Sequence, residues 1–249
     1  MDHRLFLRGL TIQGPIPEES YIARLPAVRH IQQAGGLVFR RPVTFFVGEN
    51  GVGKSTLIEA IALAAGFNAE GGTVNFNFAT RPTHSDLYRF LRLTRGPVRN
   101  LDGFFLRAES FYNVATNLDD LDDGRLLRYY GGTSLHAQSH GESFLSLVEH
   151  RFGGHGLYIL DEPEAALSPM KLMTLMVLMD RLVKDRSQFL ISTHSPILMT
   201  FPGAEIYELS EDGIRSVGYR DTAHFQITRR FLDAPDRMLE ALGLGEDMP

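Results

Sequence analysis

The stretch Gly48-Glu49-Asn50-Gly51-Val52-Gly53-Lys54-Ser55-Thr56 lies between an apolar run, Val43 to Val47, and a second run with helical spacing, Leu57 to Leu63. Gly48, Gly53, Lys54 and Ser55 occupy the fixed positions of the phosphate-binding pattern G-x-x-x-x-G-K-[ST]. Strand, glycine loop and helix, in that order, are what phosphate binding requires. Glycines let backbone N–H groups curl around an anion with no Cβ in the way. The helix that follows aims unpaired N–H groups and the positive end of its dipole at the same point. Lys54 is then placed to reach β- and γ-phosphates, and the Ser55 hydroxyl to ligate magnesium. A glycine-rich turn that binds nothing is the plain alternative.

Further along, Leu157-Tyr158-Ile159-Leu160-Asp161-Glu162 is an apolar strand that ends in two carboxylates. In a parallel sheet the C-terminal strand ends line the ligand crevice, so both acids are expected beside the phosphate loop. Asp161 would hold magnesium, largely through water. Glu162 would orient or deprotonate an attacking water. Two solvated acids at a strand end are the alternative. His194, in Ser192-Thr193-His194-Ser195-Pro196, follows the run Gln188 to Ser192 and also falls at a strand end. There it could donate to a γ-phosphate, or simply pack in a turn. Ser139-His140-Gly141-Glu142-Ser143 carries an S-x-x-E capping box, Ser139 with Glu142. A serine hydroxyl and the Gly141 amide at a helix N-terminus form a second anion site, suited to nucleotide held by another copy.

Around these motifs the chain reads as alternating elements. Strands are expected over Arg4 to Ile12, Gly36 to Phe39 and Val43 to Val47, and helices over Gly141 to Phe152 and Pro169 to Lys184. Ser168 caps the latter helix and Pro169 opens it. Glu205 to Leu209 and Ile214 to Gly218 read as a hairpin. Two short helices follow, the second with Asp233 as cap, Pro235 in its first turn and Gly243 past its end. Residues 73–138 read as an insertion or lid. It contains a helix from Ser85 to Thr94, a strand-like run over 103–109 and an acidic loop at 119–124. The fold class expected is α/β, a mainly parallel sheet with an antiparallel β portion beside it.

The bulk numbers narrow the field. A chain of 249 residues with 43% hydrophobic content can bury a full core as one domain. It has no cysteine, hence no disulfide and no thiolate metal site, which suits a reducing cytoplasmic setting. The first residues alternate like a strand rather than a leader. No apolar run approaches the ~18 residues of a membrane helix. A net charge of −5 argues against whole-surface attraction to nucleic acid or anionic lipid.

The motifs together resemble an ABC-type ATPase of the soluble group related to SMC and RecF heads, and the small ATPases labelled AAA-family. GENGVGKST is similar to Walker A and LYILDEPE to Walker B with its glutamate. SHGES is similar to the signature motif, Glu164 to Pro169 to the D-loop, and STHS to the switch-histidine loop. The resemblance implies a P-loop NTPase fold, ATP and Mg2+ as ligands, and a head-to-tail homodimer with two nucleotides between the copies. Each site would use Gly48 to Thr56, Asp161, Glu162 and His194 of one copy and Ser139, Gly141 and Glu142 of the other. The signature lacks the second glycine and final glutamine of transporter versions. No Q-loop glutamine is evident; Arg107 to Ser110 could occupy that strand end. Tyr21 and Phe39 are candidates for stacking adenine.

Other features have plainer readings. Arg89, Arg92 and Arg95 recur every third residue, with Arg81 and Arg99 nearby, as a nucleic-acid stripe or a solvated helix face. Phe104, Phe105, Phe111 and Tyr112 read as core rather than base-stacking groups, and Met170, Met173, Met176 and Met179 as core packing. The remaining histidines, His224 among them, lack metal-ligand spacing. Three alternatives to a soluble dimerising ATPase stand: the nucleotide-binding subunit of an ABC membrane transporter, a DNA-associated ATPase of repair or phage defence, and a nucleotide-gated binding module that does not hydrolyse.

Overall fold

Period-two alternation in the strand Val43–Gly48 sends Phe45 and Val47 to one face and Phe46 to the other, and all three are fully buried. A strand apolar on both sides belongs in the middle of a covered parallel sheet. The computed structural model describes residues 5–69, 71–73, 85–108 and 139–244. In chain order the elements are β1 (Leu7–Ile12), α1 (Tyr21–Arg24), α2 (Pro26–Gln33), β2 (Leu37–Val38), β3 (Val43–Gly48) and α3 (Lys54–Ala65). Then follow β4 (Leu91–Arg95), β5 (Asp102–Arg107), α4 (His140–Arg151), β6 (Gly156–Asp161), α5 (Pro169–Lys184) and β7 (Gln188–Ser192). The chain closes with β8 (Glu205–Leu209), β9 (Ile214–Ser216), α6 (Ala223–Asp233) and α7 (Pro235–Ala241).

The larger sheet has the order β5-β6-β7-β3-β8-β9. All its neighbours run parallel except β9, which pairs antiparallel with β8 as the expected hairpin. A smaller antiparallel sheet has the order β2-β1-β4. One face of the larger sheet (Phe45, Val47, Tyr158, Leu160, Phe189, Ile191) packs with Phe144 and Leu147 of α4 and Leu175 and Met179 of α5. The other face (Phe46, Phe105, Ile159, Leu190) packs with Leu57, Ile58 and Ile61 of α3 and with Leu7 and Leu10 of the smaller sheet. Buried Gln188 ties the two sheets together. Its Oε1 accepts from the N–H groups of Phe6 and Leu7, both at 2.9 Å, and its Nε2 donates to the Leu7 carbonyl at 2.8 Å.

Several expectations are corrected. The helix expected over Ser85 to Thr94 is a 3-10 turn, Asp86–Arg89, followed by β4. The Ser85 hydroxyl accepts from the Leu87 N–H and starts the turn. The chain then extends because Leu91 to Arg95 pair with Ile12 to Leu7 of β1. The arginine stripe therefore has no helix to lie on; Arg92 and Arg95 are strand residues, and Arg89 pairs with Asp86 at 3.2 Å. Within the stretch read as an insertion, β4 and β5 are strands of the two sheets. Phe39 is 2% exposed and packs edge-on against Phe46, so it cannot stack a base, whereas Tyr21 is 57% exposed. Met170 and Met173 are not core: they are 70% and 45% exposed, on the outer face of α5. Asp233 ends α6, accepting from Arg229, and Ala234 precedes α7 as its cap residue. Phe104 and Phe105 are fully buried core, as expected. Arg81, Glu109, Ser110, Phe111, Tyr112 and the 119–124 stretch lie outside the described residues. No helix among the described residues is long and apolar enough to cross a membrane.

Candidate functional site

Parallel pairing brings four strand ends to one edge of the sheet. Phe46 is in register with Ser192, Ser192 with Asp161, and Asp161 with Arg107. Strand spacing of ~4.8 Å then sets the phosphate loop, which leaves β3, about two strands from Asp161. The loop needs its glycines. Gly51 and Gly53 have φ of 84° and 99°, and a Cβ on Gly48 would lie 2.1 Å from the Leu209 carbonyl oxygen of β8. Gly53 is the cap residue of α3 and brings no side chain to the first-turn N–H groups, which stay available to an anion.

Lys54 opens α3 at 4% exposure, and its Nζ donates to the Glu49 carbonyl at 2.7 Å. Burial lowers its pKa below the ordinary lysine range, against the opposing pull of Glu162, Asp161, Glu164 and Glu49. Those carboxylates thus share the field of the phosphate-loop lysine. Asp161 is 4% exposed. Its Oδ1 accepts from the Ser192 hydroxyl and its Oδ2 from Arg107 Nε at 3.0 Å. Arg107 also reaches Glu59 of α3 at 3.0 Å. Burial opposes the Arg107 charge, but Asp161 and then Glu59 outweigh it and raise the guanidinium pKa.

Glu162 follows with left-handed backbone, φ 49° and ψ 55°. Its N–H donates to the Ser192 carbonyl at 3.1 Å and to the Ser192 hydroxyl at 3.2 Å. Its Oε1 stands 3.3 Å from His194 Nε2. The His194 N–H donates to Glu164, whose own carboxyl burial pushes to higher pKa. Burial, then Lys54, lowers the His194 pKa, so the ring is neutral near pH 7.

The Ser139 group forms a cluster of its own at the start of α4. Glu142 accepts from the Ser139 N–H at 3.0 Å and from its hydroxyl at 2.5 Å, completing the capping box. Lys171 of α5 donates to the Ser139 hydroxyl at 3.2 Å. A Cβ on Gly141 would come within 2.8 Å of the Lys171 side chain and 3.0 Å of the Ala166 carbonyl, so a larger residue here would have to displace that lysine and press on the turn before α5. The hydroxyl of Ser139 faces solvent beside that lysine.

The structure therefore gathers the phosphate loop, Asp161, Glu162 and His194, and holds Ser139, Gly141 and Glu142 in a second cluster against Lys171 and Ala166. The donor set suits a hard cation: the half-buried Ser55 hydroxyl and an Asp161 carboxylate already hydrogen-bonded on both oxygens, which fits a metal that keeps its waters. Sequence reasoning missed Glu59, Ser192 and His224. His224 Nε2 stands 2.9 Å from His194 Nδ1. The two residues are 30 apart in sequence and belong to different elements, and no local spacing announces the contact.

Two family models match the chain, an AAA domain over residues 28–90 and one described as "AAA domain, putative AbiEii toxin, Type IV TA system" over residues 133–200. A comparison with curated proteins gives no match. Among solved structures, cbiO1 from Clostridium perfringens, part of the ABC transporter complex cbiONQ, is 14% identical, with 96% of this chain and 99% of that one covered at a TM-score of 0.48. The SMC head domain from Thermotoga maritima is 17% identical, with 86% and 99% covered at a TM-score of 0.45. The phosphate loop falls inside the first family match and Ser139, Asp161, Glu162 and His194 inside the second, and these two AAA-domain matches support a P-loop ATPase.

Proposed function

We propose that this ATPase works as a magnesium-dependent hydrolase, ATP and water to ADP and phosphate, whose cycle joins and parts two copies of the chain. The observation that carries this reading is the meeting of Lys54, Asp161, Glu162 and His194 at one sheet edge beside an α3 N-terminus with no side-chain cap. Backbone N–H groups of the 48–56 loop and Lys54 bind the phosphates. Glu162 holds the attacking water and takes its proton, and His194 donates to the terminal phosphate. Magnesium, when held by Ser55 and Asp161, supplies charge neutralisation at the phosphate oxygens. Preference for ATP over GTP comes from the family resemblance.

Dimerisation rests on the second cluster. Ser139 and Gly141 sit at the start of a twelve-residue helix, Ser139 and Glu142 exposed and Gly141 buried against the turn before α5. They suit the terminal phosphate bound by another copy, with Glu142 holding the helix end in shape. In this reading the chain is one ATPase domain acting in the cytoplasm. The test is Glu162→Gln. Turnover should fall by roughly 100-fold or more, while ATP binding persists and the protein accumulates as a dimer by light scattering. A monomeric variant with full activity overturns the assignment.

A second reading, a role in defence, is favoured by the description of the model that matches residues 133–200. ATP-locked Glu162→Gln used as bait separates the two readings. Nucleic acid or a toxin-system partner recovered with it supports the defence role.

A further inference from the structure

The His194 ring has one nitrogen on Glu162 and the other on His224. Its Nδ1 lies 2.9 Å from His224 Nε2, with ring centroids 5.0 Å apart and planes tilted by 59°. Its Nε2 lies 3.3 Å from Glu162 Oε1 but without hydrogen-bond alignment, and it is buried with no aligned partner among the described residues.

Two neutral rings at this distance share a single proton, which leaves two arrangements. In one, His194 Nδ1–H donates to His224. His194 Nε2 is then a bare lone pair facing a carboxylate oxygen, acceptor against acceptor. In the other, His224 Nε2–H donates to His194 Nδ1. His194 Nε2 then carries the hydrogen on the side of Glu162. Only the second arrangement removes the repulsion and makes His194 a phosphate donor. We infer that His224 is a positioning residue that fixes His194 as the Nε2–H tautomer.

The surroundings keep the pair neutral. Burial first, then His194 and Lys54, lower the His224 pKa, against the weaker pull of Glu208 and Glu49. Around His194 the charged groups are Lys54, Asp161, Glu162 and Glu164. His224 is also held in place. Thr222, fully buried, caps α6 by accepting from the Phe225 N–H at 3.3 Å, and its hydroxyl donates to the Tyr219 carbonyl at 2.8 Å. The Ala223 N–H donates to Glu208 at 2.8 Å, and Arg215 grips the same carboxylate at 2.8 Å. Glu208 sits on β8 in register with Val47 of β3, the strand that feeds the phosphate loop. The first turn of α6 is thereby tied to the phosphate-binding strand.

The inference rests on the proposed ATPase mechanism only for what His194 does with its Nε2–H. The tautomer itself can be tested without nucleotide. Nitrogen-15 spectra of histidine-labelled protein should report His194 protonated at Nε2, and a mixture of tautomers in His224→Leu. Steady-state hydrolysis should fall roughly tenfold or more in His224→Leu with KM for ATP unchanged. His224→Gln, whose amide can donate to Nδ1, should restore most of that loss and the Nε2–H spectrum. His194 found protonated at Nδ1 in the unaltered protein, or a Leu variant as fast as the parent, overturns the inference. A normal spectrum with no hydrolysis in any form would count against the ATPase mechanism and leave the tautomer assignment standing.

Discussion

Replacing Arg107 by methionine removes the cation from a buried triad while keeping most of its methylene volume. Arg107 Nε lies 3.0 Å from Asp161 and its Nη1 lies 3.0 Å from Glu59, and the two carboxylate side chains are 4% and 8% exposed. With an effective dielectric constant near 20, each contact is worth about 5 kcal/mol of Coulomb attraction. Desolvation of the three groups cancels much of it, so the intact triad adds little net stability. Its disruption is another matter. Two carboxylates are left buried without their counter-charge, and breaking a buried pair in this way costs about 3–5 kcal/mol. Chemical denaturation followed by circular dichroism should show that loss. Arg107→Lys should fall between, since one ammonium cannot fork onto two carboxylates. Adding Glu59→Gln to Arg107→Met should recover part of the loss, because one buried negative charge goes. The residues touch, so the two effects should couple by about 1 kcal/mol or more. A loss below about 1 kcal/mol in Arg107→Met, or strict additivity in the double variant, would refute the triad as a coupled unit.

Two further outcomes follow from the site and the sheet junction. Burial depresses the Lys54 pKa, and bound polyphosphate should raise it again, so nucleotide binding should take up protons at alkaline pH and weaken as pH climbs through the lowered value. Calorimetry in two buffers of different ionisation enthalpy checks this; proton release, or the same uptake in Lys54→Arg, contradicts it. Gln188→Met strands the N–H groups of Phe6 and Leu7 and the Leu7 carbonyl, and should cost about 3 kcal/mol in thermal unfolding. A change under about 1 kcal/mol would mean that solvent or relaxation serves those groups.

The phosphate loop, Asp161, Glu162 and His194 were legible in sequence for one reason. Each follows an apolar run, and runs that become parallel strands must deliver their ends to one edge. The helix expected over 85–94 was misread because Leu87, Phe90 and Leu91 fit helical spacing, while Leu91 and Leu93 equally fit a strand. The partner that decides it, β1, lies some eighty residues earlier. On α5 the apolar residues run all round the helix. Spacing then cannot tell the covered face (Leu172, Leu175, Met179) from the exposed one (Met170, Met173, Val177). His224 was out of reach because its contact depends on how α6 docks against β8, through Glu208 and the Thr222 cap.

The backbone at Glu162 is where the demands of fold and chemistry conflict. In an extended strand, consecutive side chains point to opposite faces. Had β6 simply continued, Asp161 and Glu162 would project to opposite sides of the sheet, and one site could not use both. Asp161 keeps its ladder position, paired with Arg107 on one side and Ser192 on the other. Glu162 then turns left-handed, which swings its carboxylate round to within 3.3 Å of His194 and into the field of Lys54. A residue with a Cβ adopts that conformation at a cost of about 1–2 kcal/mol. Two contacts from its N–H, to the carbonyl and hydroxyl of Ser192, offset part of the cost. Glycine would take the same turn without strain and bring no carboxylate. Under the proposed function, the strain at this position follows from bringing two successive acids to one nucleotide site.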